Sequence, residues 1–392
     1  MRLNSITIPT IQPQEDRKPL VRLKLKIVTP MLGGGAIAGQ PSVEFPIRGS
    51  AIRGGLRYWW RATYGAACAT PEEMKRLETA LWGGSEQGGM RSSLLSVCIE
   101  PVTAGTSALR SRALIPQYAQ GMLTGDDADQ QQVLVDSIFV LEIRQNRTPI
   151  DVPSSLREQV ECAVLSLVLF GGLGARTRRG FGCLQMICDP LNTIEVDKLW
   201  DRFNEIIPKA HQIRAGGFTN LIQGVILGGK PQNSASDAWG ESIRVLKGFR
   251  QGNYGRSPWP ESDTARKLSR SKPLEDDPAL ALPRASLGLP FTVKDIANSR
   301  NPAFSELTVV GYNGSQRLAS PVIVKPLRKS REWYPAIIFL GRSDLDENLV
   351  SVQSADGGIN GTMKELGLSL SAVGYPRDES TKRKNPQQGQ KK

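Results

Sequence analysis

FGGLGARTRRGFG, residues 170–182, decides how this chain is read. It holds five glycines (Gly171, Gly172, Gly174, Gly180, Gly182) and three arginines (Arg176, Arg178, Arg179). A long apolar segment runs into it, and a short β-type segment (181–187) runs out. Glycines admit positive φ and let another backbone approach closely. Arginines bring charge and a planar fork of donors that fits phosphate oxygens. The bland alternative is a tight helix-to-strand turn with solvated arginines. A dinucleotide loop does not fit: Gly172-Leu173-Gly174 begins G-x-G, but Thr177 stands where the third glycine belongs, and a helix precedes the loop where a strand should. A mononucleotide P-loop does not fit either, because Gly174 and Gly180 are one residue too far apart and no Gly-Lys-Ser/Thr follows. The stretch therefore predicts contacts to the phosphates of a long polyanion.

Working outward, Ser155-Leu156-Arg157-Glu158 has the spacing of a capping box and predicts the start of the apolar helix that ends at Phe170. At the other end of this half, VRLKLKIV (21–28) alternates: Val21, Leu23, Leu25 and Ile27 on one face, Arg22, Lys24 and Lys26 on the other, a half-buried strand. A Gly/Pro-rich loop leads to IRGSAIRGGLRYWWRATYG, where Ser50 is the expected N-cap. On a helical wheel Ile52, Leu56, Trp59 and Thr63 share one face, and Arg53, Arg57 and Arg61 the opposite one. Together with Arg48 at the entrance, these arginines read either as a ridge along a phosphate chain or as a solvated polar face. Thr70-Pro71-Glu72-Glu73 predicts a second helix, capped by Thr70 and ending near Gly83. Two β-type runs follow (93–100 and 135–144), separated by a polar loop at 120–132.

The resulting order, βαββαβ with insertions, predicts an α+β fold of the ferredoxin-like (RRM-like) plan. RNA recognition motifs stack bases on strand aromatics, and no such aromatic strand motif is present, so binding is expected from loops and the arginine helix. The first domain is set at 1–190. Residues 189–219 read as a connector with a short helix. A second domain, 191–376, repeats the mix less legibly: NLIQGVILGG as a strand, 237–249 as a helix, and PRASLGLPF, ELTVVGY, RLASPVIVKPL and YPAIIFLG as strands or strand edges. The basic tail 377–392 reads as disordered.

Formal net charge is +12 and the isoelectric point about 9.6, which suits a polyanionic partner, most simply nucleic acid. No run of eighteen apolar residues exists, and the first residues lack the apolar region of a signal peptide. Five cysteines (68, 98, 162, 183, 188) without framework spacing read as reduced core thiols of a cytoplasmic protein. The lone histidine, His211, leaves little room for acid–base catalysis or a zinc site. Glu44, Glu261 and Asp263 are the carboxylates nearest basic islands, and salt bridges or helix capping account for them. No catalytic residue, metal ligand or cofactor is assigned.

Five islands, IRGSAIRGGLRYWWR, FGGLGARTRRGFG, YGRSPWPESDTARK, LPRASLGLPF and RLASPVIVKP, together resemble the RAMP proteins of CRISPR systems, marked by a glycine-rich loop near the end of a ferredoxin-like domain. More narrowly, the set is similar to the first-numbered subunits of the Cmr (type III-B) effector complex. The resemblance spans about residues 47–326. It implies two RAMP domains and a non-catalytic, RNA-binding place in a ribonucleoprotein for antiviral defence, near the 3′ part of the guide RNA and its paired target. It implies guide RNA, target RNA and other Cmr subunits as partners. Candidate RNA-binding residues are Arg48, Arg53, Arg57, Arg61, Gly174, Arg176, Arg178, Arg179, Arg256 and Arg317. The alternative is a metal-independent RAMP endoribonuclease that processes guide RNA, in which relatives commonly use a histidine; His211 lies outside every island.

Overall fold

Alternation places the first strand. β1 (Val21–Ile27) buries Val21, Leu23, Leu25 and Ile27 and leaves the basic residues between them half-buried. The computed structural model describes residues 19–33, 42, 47–86, 89–103, 106–109, 114–120, 132–146, 155–191, 193–208, 219–251, 283–294, 306–311, 319–341, 349–354 and 360–364. Arg256, Arg317, His211, Glu44, Glu261, Asp263 and the 377–392 tail lie outside these residues.

After β1 come β2 (Met31–Leu32), α1 (Gly49–Ala62), α2 (Pro71–Trp82), and a small hairpin of β3 (Gly84–Glu86) and β4 (Gly89–Arg91). β5 (Leu95–Thr103), β6 (Thr106–Leu109), α3 (Gln117–Gln120), β7 (Gln132–Val135) and β8 (Ile138–Gln145) follow, then α4 (Leu156–Leu169) and β9 (Leu184–Cys188). The main sheet has the order β5-β8-β1-β9, and each neighbouring pair is antiparallel. β2, β7 and β6 form a separate antiparallel sheet. With insertions set aside, the chain order is strand, helix, strand, strand, helix, strand.

Of the three expected caps, one is built. Thr70 is extended (φ −138°, ψ 161°), and its Oγ1 accepts the Glu73 N–H at 3.2 Å. Glu73 reaches back to accept the Ala69 N–H at 2.7 Å, and Pro71 fills the first helical position. Ser50 does not cap α1: the helix already includes Gly49, and Arg48 occupies the cap position without a side-chain bond. Ser155 precedes α4 with ψ 25°, a turn geometry from which its hydroxyl caps no N–H.

The second half supplies α5 (Leu199–Ile206), β10 (Asn220–Gly228), α6 (Ala235–Gln251), β11 (Phe291–Lys294), β12 (Glu306–Gly311), β13 (Val322–Lys329), β14 (Glu332–Gly341), β15 (Leu349–Ser354) and β16 (Asn360–Lys364). β10-β14-β13 make one antiparallel sheet, with α6 packed on β13 and β14, and β11-β12-β15-β16 make another. PRASL, expected as a strand edge, is a 3-10 turn (Pro283–Leu287), and the strand begins at Phe291. Pro283 has no N–H to give a ladder.

The hydrophobic core draws on both halves of the chain. One cluster joins Leu23 and Leu25 of β1, Ile52, Leu56 and Trp59 of α1, and most of α4 to Leu221, Ile323, Leu327 and Ile338. A second cluster seats Phe181 on Trp239 with ring centroids 5.0 Å apart, beside Val324. Among the cysteines, all free, Cys68, Cys162 and Cys183 are buried, but Cys98 and Cys188 are exposed, Cys98 on the sheet's edge strand and Cys188 at the end of β9.

Candidate nucleic-acid interface

The helix half of the interface begins with the wheel of α1. Ile52, Leu56, Trp59 and Thr63 are buried, as the wheel requires. Gly55 lets α4 approach: a Cβ there would lie 3.1 Å from Leu167 Cδ1. The opposite, arginine face is not a free ridge. Arg57 Nε donates to Glu78 Oε1 at 2.6 Å and Arg61 Nη1 to the same oxygen at 3.1 Å. Glu78, on α2, is 5 % exposed. It shares the helix face of Met74, Leu81 and Trp82, and a carboxylate on an apolar face requires a cation. Arg53 is half-buried, and its Nε has no hydrogen-bond partner. Arg48 is exposed and has no carboxylate partner among the described residues.

The loop half is doubled back and stitched to the segment after β1. Leu173 N–H donates to Gly182 O, Ala175 N–H to Leu32 O and Gly182 N–H to Pro30 O, each at 2.9 Å. Thr29 Oγ1 donates to Gly180 O at 2.7 Å and accepts Cys183 N–H at 2.8 Å. Gly174 and Gly180 take φ +82° and +78°, the left-handed region the stretch predicts. Both are also close approaches within the protein: a Cβ on Gly174 would collide with Leu32 O, and one on Gly180 with the Trp239 indole.

The loop arginines divide. Arg178 donates from Nη1 to Ser320 O at 2.6 Å and from Nη2 to Tyr58 Oη at 3.3 Å, its guanidinium 5.6 Å from the Tyr58 ring centroid. Arg179 donates to Val322 O at 3.1 Å, and its own carbonyl accepts the Trp239 indole N–H at 2.8 Å. Burial first, and then the neighbouring Arg250, push the Arg179 guanidinium down to about 10, still a cation at neutral pH. Arg176, at φ +57°, is exposed together with Gly174 and Ala175. Among the described residues, the backbone N–H groups of Gly172, Gly174, Arg176, Thr177 and Arg178 have no acceptor. The exposed crest thus presents Arg176 and free N–H donors, and the packed flank spends Arg178 and Arg179 on the second half.

Two contributors escaped the sequence reading. Lys325, on β13 and 1 % exposed, donates Nζ to Gly171 O at 2.9 Å and approaches Val168 O at 3.4 Å, so a buried ammonium meets the C-terminal carbonyls of α4. Its signal was a lysine inside the apolar run VIVKPL. Tyr58 stands over the loop from α1; its signal was an aromatic three and seven residues beyond the small Gly55 and Ala51. Tyr58, with Gly171, Gly172, Gly174, Thr177, Arg178 and Ile323, lines a cavity of about 310 Å³ between α1, the loop and β13. Among the described residues no group of three His, Cys, Asp or Glu is placed to hold a metal ion, and no helix is long and apolar enough to cross a membrane.

The sequence model of the RAMP superfamily matches residues 24–185. No curated protein sequence matches the chain. Among solved structures, the apo crystal form of Cmr1 from Pyrococcus furiosus is similar at 14% identity, over 82% of this chain and 88% of that chain, with TM-score 0.48. A chain of the type III-B Cmr-beta cryo-EM structure bound to cognate target RNA aligns at 14% identity, over 82% and 94%, with TM-score 0.45. A chain of the same assembly with cognate target RNA and AMPPnP, state 2, in the presence of ssDNA, aligns at 14% identity, over 83% and 95%, with TM-score 0.44.

Proposed function

We propose that this protein, whose residues 24–185 match the RAMP superfamily, is a non-catalytic RNA-binding subunit of a type III-B CRISPR (Cmr) ribonucleoprotein effector complex. The match carries the reading, because its span includes both α1 and the Gly/Arg loop that face one cavity. The islands in the second half extend it to the first-numbered Cmr subunits, at the head of the assembly near the 3′ part of the guide RNA and its paired target. Both halves are read as ferredoxin-like RAMP domains; the antiparallel order β5-β8-β1-β9 supports the first. The working compartment is the cytoplasm.

The RNA-binding surface is the crest Gly174–Arg176 with Arg48 at the entrance to α1. Net charge +12 attracts the chain to a polyanion, and free N–H donors with Arg176 hold phosphate oxygens without reading bases. Cleavage is assigned elsewhere in the complex. The test is reconstitution: tagged protein mixed with the other Cmr subunits and guide RNA is expected to elute in one particle. The purified chain, incubated with repeat RNA without metal and then with magnesium, is expected to leave it intact. Exclusion from the particle, or cleavage abolished by a point change in this chain, overturns the reading.

A further inference from the structure

The cavity between α1 and the loop is built for something flatter and less polar than a phosphate. Its floor is apolar, formed by Leu167, Phe170 and Ile323. Its wall is a fixed pair of planar groups. Tyr58 packs edge-on against Trp59 with centroids 5.1 Å apart, and the Arg178 guanidinium lies 5.6 Å from the Tyr58 ring centroid. Arg178 cannot swing away freely, because Ser320 O and Tyr58 Oη hold it. Around the rim stand hydrogen-bonding groups: the Thr177 hydroxyl and the N–H groups of Gly172 and Gly174, which have no acceptor among the described residues. A volume of about 310 Å³ sits at the lower end of the ~300–1,000 Å³ typical of small-molecule pockets.

We propose that this cavity receives one unstacked base of the bound RNA, laid against the Tyr58–Arg178 pair, while its phosphate stays on the Arg176 crest. The inference deepens the RNA-binding reading and rests on it. Single-stranded RNA is recognised by just such groups: splayed bases stack on aromatic rings and guanidinium planes. The chemistry is tolerant of base identity, since every base has a π-face. It adds to a phosphate-only grip a dependence on there being a base at all.

The experiment uses the full chain and two probes of equal length and charge: oligouridine and an abasic ribose-phosphate chain. Wild type is expected to prefer oligouridine by roughly tenfold, the weight of one stacked base. Tyr58→Ala is expected to bind both probes alike, at the abasic level. Ala51→Trp, which fills the cavity from an exposed position in the first turn of α1 and leaves the wall intact, is expected to do the same. Tyr58→Phe keeps the ring and is expected to keep the preference. If Tyr58→Ala fails to fold, Ala51→Trp alone decides. Equal binding of both probes by wild type overturns the base site, as does a preference that survives cavity filling. Wild type that binds neither probe overturns the RNA-binding reading itself.

Discussion

Two arginine sets of three, one on α1 and one in the Gly/Arg loop, look alike in sequence and end in different chemistry. On α1, Arg57 and Arg61 converge on one carboxylate, Glu78. In the loop, Arg178 and Arg179 converge on main-chain carbonyls, Ser320 O and Val322 O. Both arrangements fix the side chains. A carboxylate also cancels charge, and a carbonyl does not. The helix pair therefore keeps one net positive charge after Glu78, and the loop keeps the full charge of Arg176, Arg178 and Arg179. Counting cations in the sequence overestimates the field of the helix and not that of the loop. The packed flank of the loop also anchors the exposed crest: the same residues that dock onto the second half hold Arg176 and its neighbouring N–H groups toward solvent.

The largest expected effect breaks the packed flank. Gly180→Val places a β-branched side chain at φ +78° and against the Trp239 indole, with Val324 O 2.9 Å from the new Cβ. Strain and overpacking together are expected to cost about 4 kcal/mol or more. Thermal unfolding checks this; a melting temperature within a few degrees of wild type would mean that the loop and α6 part easily, and the docked flank would be lost as an idea.

Next in size is the helix pair. Arg57→Ala with Arg61→Ala strips both cations from a buried Glu78. Losing the partner of a fully buried charge costs ~3–5 kcal/mol. The arginine side chains are 34% and 42% exposed, so water screens the pair, and about 2 kcal/mol is expected here. Adding Glu78→Gln is expected to restore most of that loss, because the orphaned charge goes with it. If the double change is neutral, or the third change rescues nothing, the arginines are a free ridge after all and the contrast with the loop collapses.

What could be read ahead follows from the range of the interaction. Period-two alternation in VRLKLKI, the Thr70 capping box and the apolar run before Phe170 are local, and each forms where its pattern put it. The chain succession of strands and helices in the first half followed from such local patterns. Ser50 and Ser155 misled because a cap depends on backbone angles that a residue type does not set. The partners of Arg178 and Arg179 are more than a hundred residues downstream, so no local pattern could name them. Glu78 was nearer to legible: its face is shared with Met74, Leu81 and Trp82, and a carboxylate there announces a buried pair.

A smaller effect sharpens how the flank is held. Burial pushes the Lys325 ammonium down from its ordinary value, with the nearby Cys183 acting in the opposite sense. The unfolded chain keeps that proton up to the usual lysine range, about 10.4, while the folded chain gives it up earlier. In that window the unfolded state binds more protons, so stability rises with pH. Lys325→Met removes the rise. At neutral pH the variant is expected to lie within about 1 kcal/mol of wild type, since a lost donor to Gly171 O offsets relief of a buried charge. Denaturant unfolding across a pH series then shows wild type gaining on the variant as pH climbs toward the lysine range. Cys183 titrates in both proteins with the opposite sign; without the Lys325 charge its buried thiol is pushed up further, which adds to the difference in the same direction. A flat difference would mean that Lys325 holds its proton as a solvated lysine does.

The smallest expected change in stability is at the crest, where the functional claim is most exposed. Arg176 makes no contact that holds the two halves together, and alanine takes φ +57° with no more strain than arginine. Arg176→Ala is therefore expected to leave stability within about 0.5 kcal/mol. If Arg176 touches one phosphate of single-stranded RNA, the slope of log affinity against log salt flattens by about 0.7. The loss should be equal for RNAs of unrelated sequence, because a phosphate contact carries no base information. Arg178→Ala makes the control: it removes a cation too, but also the bonds to Ser320 O and Tyr58 Oη, so its affinity loss arrives with a lower melting temperature. The combined Arg57→Ala, Arg61→Ala, Glu78→Gln variant completes the set, as it subtracts a similar net charge from the helix. Salt titrations on two unrelated RNAs separate the cases. If the helix variant flattens the slope and Arg176→Ala does not, the ridge and not the loop faces the phosphates, and the contrast between carboxylate-bound and carbonyl-bound arginines has been read the wrong way round.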